Sequence, residues 1–405
     1  MSEKLTVKNV VNINKSTLSA KDNWSTLKYL DTGNITENQI DTLQIFQKGE
    51  KLPSRAKRKV EKGTIIYSTV RPNQKHFGYF DTHSNDLVVS TGFATLDVID
   101  PRINSKYLYY LLTQNSVISQ LQSIGENSTS SYPSIRPEDI GNLSFVFPDI
   151  DIQNKIADIL TSIDKKIQIN NQINQELEAM AKTLYDYWFV QFDFPDQNGK
   201  PYKSSGGKMG YHPELKREIP EGWGVSNLFD AAEVQYGYPF STDYFNSTGE
   251  GVPVIRIRDI LGNDITNYST EEVEDKYRIN VGDVLIGMDG NFHMNYWIKE
   301  NCYLNQRVVK VNSDKLPNMV LKYQIEPFIK LREKSVSRTT VGHLSDKDLK
   351  AINVILPKDK CLSSIFEKFE SILENIIINQ QQNQELTQLR DWLLPMLMNG
   401  QVKVE

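Results

Sequence analysis

Residues 148–177, PDIDIQNKIADILTSIDKKIQINNQINQEL, recur 209 positions later as residues 357–386, PKDKCLSSIFEKFESILENIIINQQQNQEL. Twelve of the 30 aligned positions are identical without a gap, including Ile156, Ile163 and Leu177. A period of this length is far beyond that of a solenoid repeat. The pair of segments therefore indicates that one half of the protein was duplicated.

The repeat extends upstream at the same offset. Residues 130–140, SSYPSIRPEDI, face residues 339–349, TTVGHLSDKDL. Apolar side chains then alternate with polar ones in both copies, at Leu143, Phe145 and Phe147 and at Ile352, Val354 and Leu356. Such alternation predicts a half-buried strand that ends at the proline before each repeated segment.

Each repeated segment has the pattern of a long amphipathic helix. Neither Gly nor Pro occurs between Pro148 and Pro195, or between Pro357 and Pro395. A helix of about 42 residues would be about 60 Å long, which is too long for a compact domain to cover, so each helix needs a partner. The other copy is the nearest candidate. The apolar positions spaced by three and four are Ile156, Ile159, Leu160, Ile163, Ile167, Ile173, Leu177, Met180 and Leu184, and Ile365, Phe369, Ile372, Ile376, Leu386, Leu389 and Leu393.

Polar residues interrupt both apolar stripes at the same place, at Asn170 and Asn174 in the first copy and at Asn379 and Asn383 in the second. An asparagine in the seam of a coiled coil fixes the register and orientation of the helices and lowers stability. The alternative is that these side chains rotate to a solvated flank.

The sequence before each helix alternates short strand-like segments with turns and one helix, and this pattern predicts a mixed α+β globule. Strands are predicted at Gly63–Ser68, Leu87–Ser90, Pro253–Ile260, Gly282–Gly287 and Arg307–Val311, and helices near Ser105–Gln122 and Asn318–Glu333. We expect five parts: a first globule at 1–148, a first long helix at 149–194, a connector rich in Gly, Pro and Lys at 195–221, a second globule at 222–356, and a second long helix with a tail at 357–405.

Composition excludes several classes of protein. The 405 residues carry 46 Lys and Arg against 51 Asp and Glu, a net charge of -5, and contain only 22 Gly and 16 Pro. A collagen, a low-complexity chain and a uniformly basic nucleic-acid binder are excluded. Cys302 and Cys361 are too few for a disulfide framework. No run is long enough to span a membrane, and Met1–Val10 does not resemble a signal peptide, so we expect a cytoplasmic protein.

Motifs that carry chemistry are mostly missing. The sequence contains no phosphate-binding G-x-x-x-x-G-K-[ST] loop, no H-E-x-x-H pair and no G-x-S-x-G elbow. Asp196 and the Glu214-Leu215-Lys216 triplet match the acid and E-x-K elements of metal-dependent nucleases. Both lie in the connector, however, whereas such a site needs carboxylates at the ends of core strands.

Basic and aromatic residues supply candidate contacts to nucleic acid. The segment Lys48–Lys62 has seven basic and two acidic residues, a pattern that fits either a solvated face or a phosphate-binding surface. Arg, Asn and His on loops are also the residue types that contact base edges. The candidates are Lys51, Arg55, Lys57, Arg58, Lys59 and Arg71 in the first globule, and Tyr236, Tyr238, Arg256, Arg258, Asn291, His293 and Arg338 in the second.

Several motifs resemble the specificity subunits of Type I restriction-modification enzymes, as does the duplicated layout of globule and long helix. They are YLDTGNI at Tyr29–Ile35, STGF at Ser90–Phe93, IPEGW at Ile219–Trp223, GDVLIGMDG at Gly282–Gly290 and LRDWLLPMLMNG at Leu389–Gly400. The resemblance covers essentially the whole chain, and the C-terminal motif and the repeat are its most specific parts.

The resemblance implies a non-catalytic subunit that recognises double-stranded DNA. Each globule would be a target recognition domain for one half of a split, asymmetric site, and the two helices would pair antiparallel as a spacer coiled coil with pseudo-twofold symmetry. The chain itself would bind no cofactor. Methyltransferase subunits using S-adenosylmethionine would modify adenine, and a separate restriction and translocase subunit would use ATP and magnesium.

Two other classes of function remain open on the sequence alone. A stand-alone metal-dependent DNA nuclease would use the acids of the connector. A protein adaptor that does not bind DNA would use its globules to bind protein and would show no salt-dependent, sequence-selective affinity for DNA.

The spacer hypothesis predicts the effect of a longer helix. Inserting four residues near Gln172 adds about one turn, or about 6 Å. We expect both half-site sequences to stay unchanged and the unread gap between them to lengthen by about one or two base pairs at about 3.4 Å each. Mapping of methylated sites measures the gap, and an unchanged gap in a folded variant would contradict the hypothesis.

Overall fold

The computed structural model describes residues 3–19, 21–82, 85–128, 132–335, 342–357 and 362–404. The chain divides into two compact units, a first unit of Met1–Lys165 with Leu386–Glu405 and a second unit of Lys166–Glu385. Both boundaries fall inside a long helix. Arg338 and Cys361, which the sequence analysis singled out, lie outside the described residues.

The first globule is built mainly from short strands. Three sheets carry its fold, with strand orders β6-β3-β10-β7, β2-β11-β8-β9 and β1-β12, and β4 pairs with β5. The strands are β1 (Glu3–Thr6), β2 (Val11–Ile13), β3 (Thr26–Leu30), β4 (Ile35–Thr36), β5 (Gln39–Ile40), β6 (Gln44–Gln47), β7 (Ala56–Lys59), β8 (Ile65–Ser68), β9 (Phe77–Tyr79), β10 (Leu87–Ser90), β11 (Phe93–Val98) and β12 (Ser144–Phe147).

Helices cover one side of these sheets and lead into the first long helix. Apolar side chains of β8, β11 and the helices form one buried cluster. The helices are α1 (Val7–Val10), α2 (Ser105–Leu112), α3 (Asn115–Glu126), α4 (Pro137–Gly141) and α5 (Ile150–Tyr185), and a π-helical turn follows at Asp186–Val190.

The second globule has matching elements. Its sheets have the orders β16-β24-β21-β22, β17-β19-β18-β23-β20 and β15-β25, and β13 and β14 form a hairpin. The elements are β13 (Met209–His212), β14 (Arg217–Pro220), β15 (Gly224–Asn227), α6 (Leu228–Ala231), β16 (Glu233–Tyr236), β17 (Phe245–Asn246), β18 (Val252–Ile255), β19 (Tyr268–Ser269), β20 (Arg278–Ile279), β21 (Val284–Gly287), β22 (Met294–Tyr296), β23 (Cys302–Leu304), β24 (Val308–Asn312), α7 (Asn318–Ser335), α8 (Asp346–Lys350), β25 (Asn353–Leu356) and α9 (Ser363–Met398).

The two globules repeat one topology. In each, four antiparallel strands form one sheet, β2-β11-β8-β9 or β16-β24-β21-β22. In each, a second sheet has a parallel central pair, β3 with β10 or β18 with β23. Strands β12 and β25 and helices α4 and α8 lie 209 residues apart. The mixed α+β class and the duplication predicted from the repeat are confirmed.

The long helices have a strict heptad seam. In α5 the positions that face the seam follow a spacing of four and three through Ile156, Leu160, Ile163, Ile167, Asn170, Asn174, Leu177 and Ala181. In α9 the same spacing runs through Ile365, Phe369, Ile372, Ile376, Asn379, Asn383, Leu386, Arg390, Leu393 and Leu397. A regular seven-residue period is the geometry of a coiled coil.

The assignment of Ile173, Met180 and Leu389 to the seam was wrong. Their exposed fractions are 39%, 53% and 44%. The asparagines do not interrupt the stripe; Asn170 and Asn174 themselves occupy heptad positions, and residues one place before the seam turn outward.

Asparagines bond across the seam within the second unit. The Asn170 amide donates to Oδ1 of Asn383 and to Oε1 of Gln382, both at 2.8 Å. The Asn379 amide donates to Oδ1 of Asn174 at 2.9 Å. Asn170 is fully buried. From the first pair to the second, the residue number rises along α5 and falls along α9, so these segments run antiparallel. Asn170 and Asn174 are buried in the seam, and Asn379 and Asn383 are half-buried.

In the first unit the seam contains a charged cluster around Arg390. The Arg390 guanidinium lies 3.1 Å from the Asp164 carboxylate and 3.7 Å from that of Glu37. The Tyr110 hydroxyl donates to Asp164 at 2.6 Å. Burial lowers the pKa of Arg390, but the neighbouring carboxylates, chiefly Asp164, outweigh this effect and raise the pKa overall. Leu397 is buried in the same unit against the first globule's core.

Several element boundaries differ from the predictions. The helix expected near Ser105–Gln122 is two helices, because Gln114 takes an extended conformation between them. The connector contains the β13-β14 hairpin. Helix α9 continues past Pro395 to Met398, and the proline removes one N–H donor from the last turns of the helix.

The asparagine pairs predict a local loss of stability. In an Asn170→Ala variant the half-buried Asn383 and the exposed Gln382 lose their hydrogen bonds to a buried amide, which should lower the free energy of unfolding by about 0.5–1.5 kcal/mol. Asn375→Ala is the matched control, because the Asn375 amide is exposed and, among the described residues, bonds to Ser371 O of its own helix. Urea unfolding followed by tryptophan fluorescence compares the two variants, and equal effects would contradict a role for the seam bonds.

Candidate nucleic-acid interface

The two large sheets of the first globule meet at the turn Ser90–Phe93, which joins β10 to β11. Gly92 permits a close approach here, since a Cβ atom would lie 2.8 Å from Cγ2 of Thr32. The Thr69 N–H and hydroxyl both donate to Gly92 O at 2.9 Å. The turn after β3 and the loop between β8 and β9 therefore converge on this point.

Arg71 lies in the β8–β9 loop and is exposed. Its backbone has a φ of +47°, in the left-handed region, and its N–H donates to Pro133 O at 2.9 Å. The guanidinium lies 5.8 Å from the ring centroid of Tyr132, a cation–π distance. The loop thus presents a supported cation at the meeting point of the sheets.

The basic residues in and just before strand β7 differ in their exposure to solvent. Lys51, Arg55 and Lys57 are exposed, whereas Arg58 and Lys59 are half-buried. Lys59 Nζ lies 2.5 Å from the Asp22 carboxylate, and this bond lowers the pKa of Asp22. Burial lowers the pKa of Arg58.

Arg55 has an acidic neighbour at the end of β3. Burial raises the pKa of Asp31, but the hydrogen bond from the Thr32 N–H and the charge of Arg55 are among the effects that lower it, and the net shift is downward. The negative charge of Asp31 reduces the net attraction of Arg55 for phosphate.

In the second globule the corresponding place is the end of β21. A Cβ on Gly287 would lie 2.9 Å from Cγ2 of Ile257, so the turn after β18 packs directly on that strand. Arg256 and Arg258 flank Ile257. Arg256 is half-buried, with Cζ 5.8 Å from the Phe245 ring centroid, and Arg258 is exposed.

The two predicted tyrosines are held by carboxylates. The Tyr236 hydroxyl donates to Asp346 at 2.7 Å and the Tyr238 hydroxyl donates to Glu271 at 2.9 Å. Burial raises the pKa of Tyr236, and the bond to Glu271 raises that of Tyr238. Both rings remain half-exposed, but their hydroxyl groups already donate to carboxylates.

Asn291 and His293 lie in the loop between β21 and β22. Asn291 is exposed and His293 is half-exposed. The His293 carbonyl accepts from Gly287 N at 2.8 Å, which closes the loop. The loop resembles that of Arg71. Gly290 N donates to Gly342 O, and Arg71 N donates to Pro133 O, which lies 209 residues before Gly342.

Sequence reasoning missed one cluster in this loop. Asp289 contacts both Arg307, with Nε 3.2 Å from Oδ2, and His343, with Nδ1 2.6 Å from Oδ1. The repeat could have indicated part of this cluster, because it aligns His343 with Ser134. Ser134 forms a β-bridge to Val70, and His343 forms one to Asp289.

The acids of the connector do not form a nuclease site. Asp196 Oδ1 accepts the backbone N–H groups of Asn198 and Lys200 at 2.8 Å in a turn. Glu214 lies in the exposed turn between β13 and β14. Over the described ranges, no group of three or more His, Cys, Asp or Glu side chains could hold a metal ion. In the same part of the chain, no helix is both long and apolar enough to span a bilayer.

Comparison with known proteins agrees with the geometry. Residues 2–179 and 220–388 match the Type I restriction modification DNA specificity domain. The chain is 25% identical to the Type I restriction enzyme HindI specificity subunit of Haemophilus influenzae, over 92% of this chain and 94% of that one. It is 27% identical to the MjaIX specificity subunit of Methanocaldococcus jannaschii, over 93% and 84% of the two chains.

A solved structure shows the same fold. The crystal structure of the Type I restriction-modification system S subunit from M. genitalium aligns with a TM-score of 0.56 at 15% identity, over 98% of this chain and 96% of that one.

The exposure of the basic residues predicts which of them contribute to phosphate binding. Neutralising the exposed pair, Arg55→Gln with Lys57→Gln, should weaken binding to every duplex and flatten the dependence of log K on log salt by up to about 0.9 per lost contact. Arg58→Gln with Lys59→Gln is the matched control, because these side chains are half-buried and Lys59 is already paired. Salt titrations measure both slopes, and an unchanged slope for the exposed pair would assign it to a merely solvated face.

Proposed function

The chain belongs to the Type I restriction modification DNA specificity family, and on that premise we propose that its two globules bind the two halves of a split, asymmetric site in double-stranded DNA. As a specificity subunit it is a non-catalytic component of its complex. The observation that carries the proposal is the repetition of one topology, with an equivalent loop of polar, exposed residues in each globule.

The two loops offer different chemistry to DNA. The first globule presents Arg71 with the exposed basic residues in and before β7, which are Lys51, Arg55 and Lys57. The second presents Asn291 and His293 in the equivalent loop, with Arg258 on the turn beside it. Because base contacts specify sequence while phosphate contacts position the protein, two such different surfaces would select two different half-sites. This supports an asymmetric target.

Membership of the family supports proposals about the partner subunits, their cofactors and the cellular location. We propose that partner methyltransferase subunits bind S-adenosylmethionine and modify adenine, and that a restriction and translocase subunit supplies ATP- and magnesium-dependent cleavage. A complex of this kind acts where chromosomal DNA lies, and we propose a cytoplasmic location. The chain's net charge of -5 implies that partner subunits supply part of the grip on phosphate.

The seam asparagines have a proposed role in this function. A hydrogen-bonded polar pair at a heptad position is satisfied in one register only, since a slip would bury an unpaired amide against apolar side chains. We propose that Asn170, Asn174, Asn379 and Asn383 fix the register of the spacer helices.

Mapping of methylated adenines tests the proposal. The full chain is co-expressed with its own modification subunit in a host without other adenine methylation, and the methylated motif is compared with that of cells lacking the chain. We expect a bipartite motif that depends on this chain. Arg71→Ala should relax preference in one half only, and Arg258→Ala in the other half only, because each lies in a different globule.

The outcome separates the alternatives. A continuous motif, or a changed preference in both halves from either variant, would contradict the proposal that each globule recognises one half-site. Motif-independent methylation with and without the chain would favour an adaptor that does not bind DNA.

A further inference from the structure

One carboxylate in the second globule holds two side chains from distant segments of the chain. Asp289 Oδ2 lies 3.2 Å from Nε of Arg307, and Oδ1 lies 2.6 Å from Nδ1 of His343. Each oxygen has one partner, so the carboxylate sets the spacing between the guanidinium and the imidazole. Arg307 precedes β24 and His343 precedes α8.

The backbone beneath this cluster is fixed on both sides. Met288 N donates to Arg307 O at 3.0 Å, and Leu344 N donates to Met288 O at 2.7 Å. The side chains of Met288 and Leu344 are buried in the core of the second unit. The three polar groups therefore stand on a rigid frame, and the Arg307 and His343 side chains are both about half exposed, at 52% and 51%.

The exposed ends of the Arg307 and His343 side chains differ in their hydrogen-bonding character. Because the Asp289 carboxylate only accepts, Nδ1 of His343 carries the proton, and in the neutral ring Nε2 is left with a free lone pair. The Nη groups of Arg307 are donors, and they make no hydrogen bond to the residues that the structure describes. With the ring neutral, a double donor thus lies beside a single acceptor.

This pattern is complementary to one base pair. In the major groove a G·C pair presents the N7 and O6 acceptors of guanine next to the N4 amino donor of cytosine. Resting on the proposed function, we propose that Arg307 and His343 recognise a G·C pair in the half-site of the second globule, with Arg307 on guanine and His343 on the cytosine amino group. Asp289 is a positioning residue that holds both without touching DNA.

Methylation mapping with the full chain in its complex tests this assignment. Arg307→Ala should reduce the preference for G·C at one position of one half-site by about ten- to a hundredfold. His343→Ala and Asp289→Asn should relax preference at the same position, although Asp289 makes no DNA contact. The other half-site should stay unchanged in all three variants.

Two further variants keep the test decisive. Arg332→Ala is the matched control, because Nε of Arg332 lies 3.2 Å from the Asp348 carboxylate with a similar exposed fraction, and it should leave the motif unchanged. Arg307→Lys keeps the positive charge but not the forked donor, so methylation should persist with a weakened preference at that position.

Three results would overturn the assignment while leaving the bipartite function intact: no G·C pair in the second half-site, an unchanged motif in the Arg307 variants, or relaxation at different positions in the Arg307 and His343 variants. Absence of any motif with the wild-type chain would instead overturn the proposed function.

Discussion

Two helices of 36 residues each cannot bury their apolar stripes alone, and this constraint organises the chain. Their heptad positions follow the spacing of a coiled coil, so each helix supplies the surface that the other lacks. In the second unit the seam is apolar on either side of the asparagines, and the hydrogen bonds between Asn170 and Asn383 and between Asn174 and Asn379 satisfy groups that burial would otherwise penalise. The polar pairs therefore fix the register of the two helices, and burial of the apolar positions around them stabilises the association.

In each globule, loop residues that differ between the two copies project from a rigid, buried framework. Gly92 and Gly287 let a neighbouring turn pack directly on a strand end, and buried side chains such as Met288 and Leu344 anchor the loops. The residues that project from these anchors differ between the copies, an arginine beside a tyrosine in one and an aspartate with a histidine and an arginine in the other. A fixed scaffold with exchangeable loop residues is a suitable arrangement for contacting different sequences with one fold.

Periodicity explains what could be predicted from the sequence and where prediction stopped. The repeat, the long helices and strands such as β10 follow from local patterns that need no knowledge of tertiary contacts. Ile173 was misassigned because asparagine was taken as a break in an apolar stripe, whereas it continues the heptad. The pairing of Lys59 with Asp22 and the meeting of Asp289, Arg307 and His343 depend on which strands lie side by side, and a single sequence does not encode that order in any local pattern. The resemblance to the specificity subunits supplied the function, but no local signal distinguished contact residues from merely charged ones.

The composition of the first unit has a consequence for biosynthesis. That unit joins the N-terminal 165 residues to Leu386–Glu405, and Leu397 is buried in its core while Arg390 binds Asp164. The first globule thus needs residues 386–405, which are translated more than two hundred residues after it, before its hydrophobic surface is covered. A premature stop before Leu386 would leave the first unit without these residues, and such a product would expose apolar surface to chaperones and proteases. The fold in this way couples the integrity of the first unit to the synthesis of a segment far along the chain.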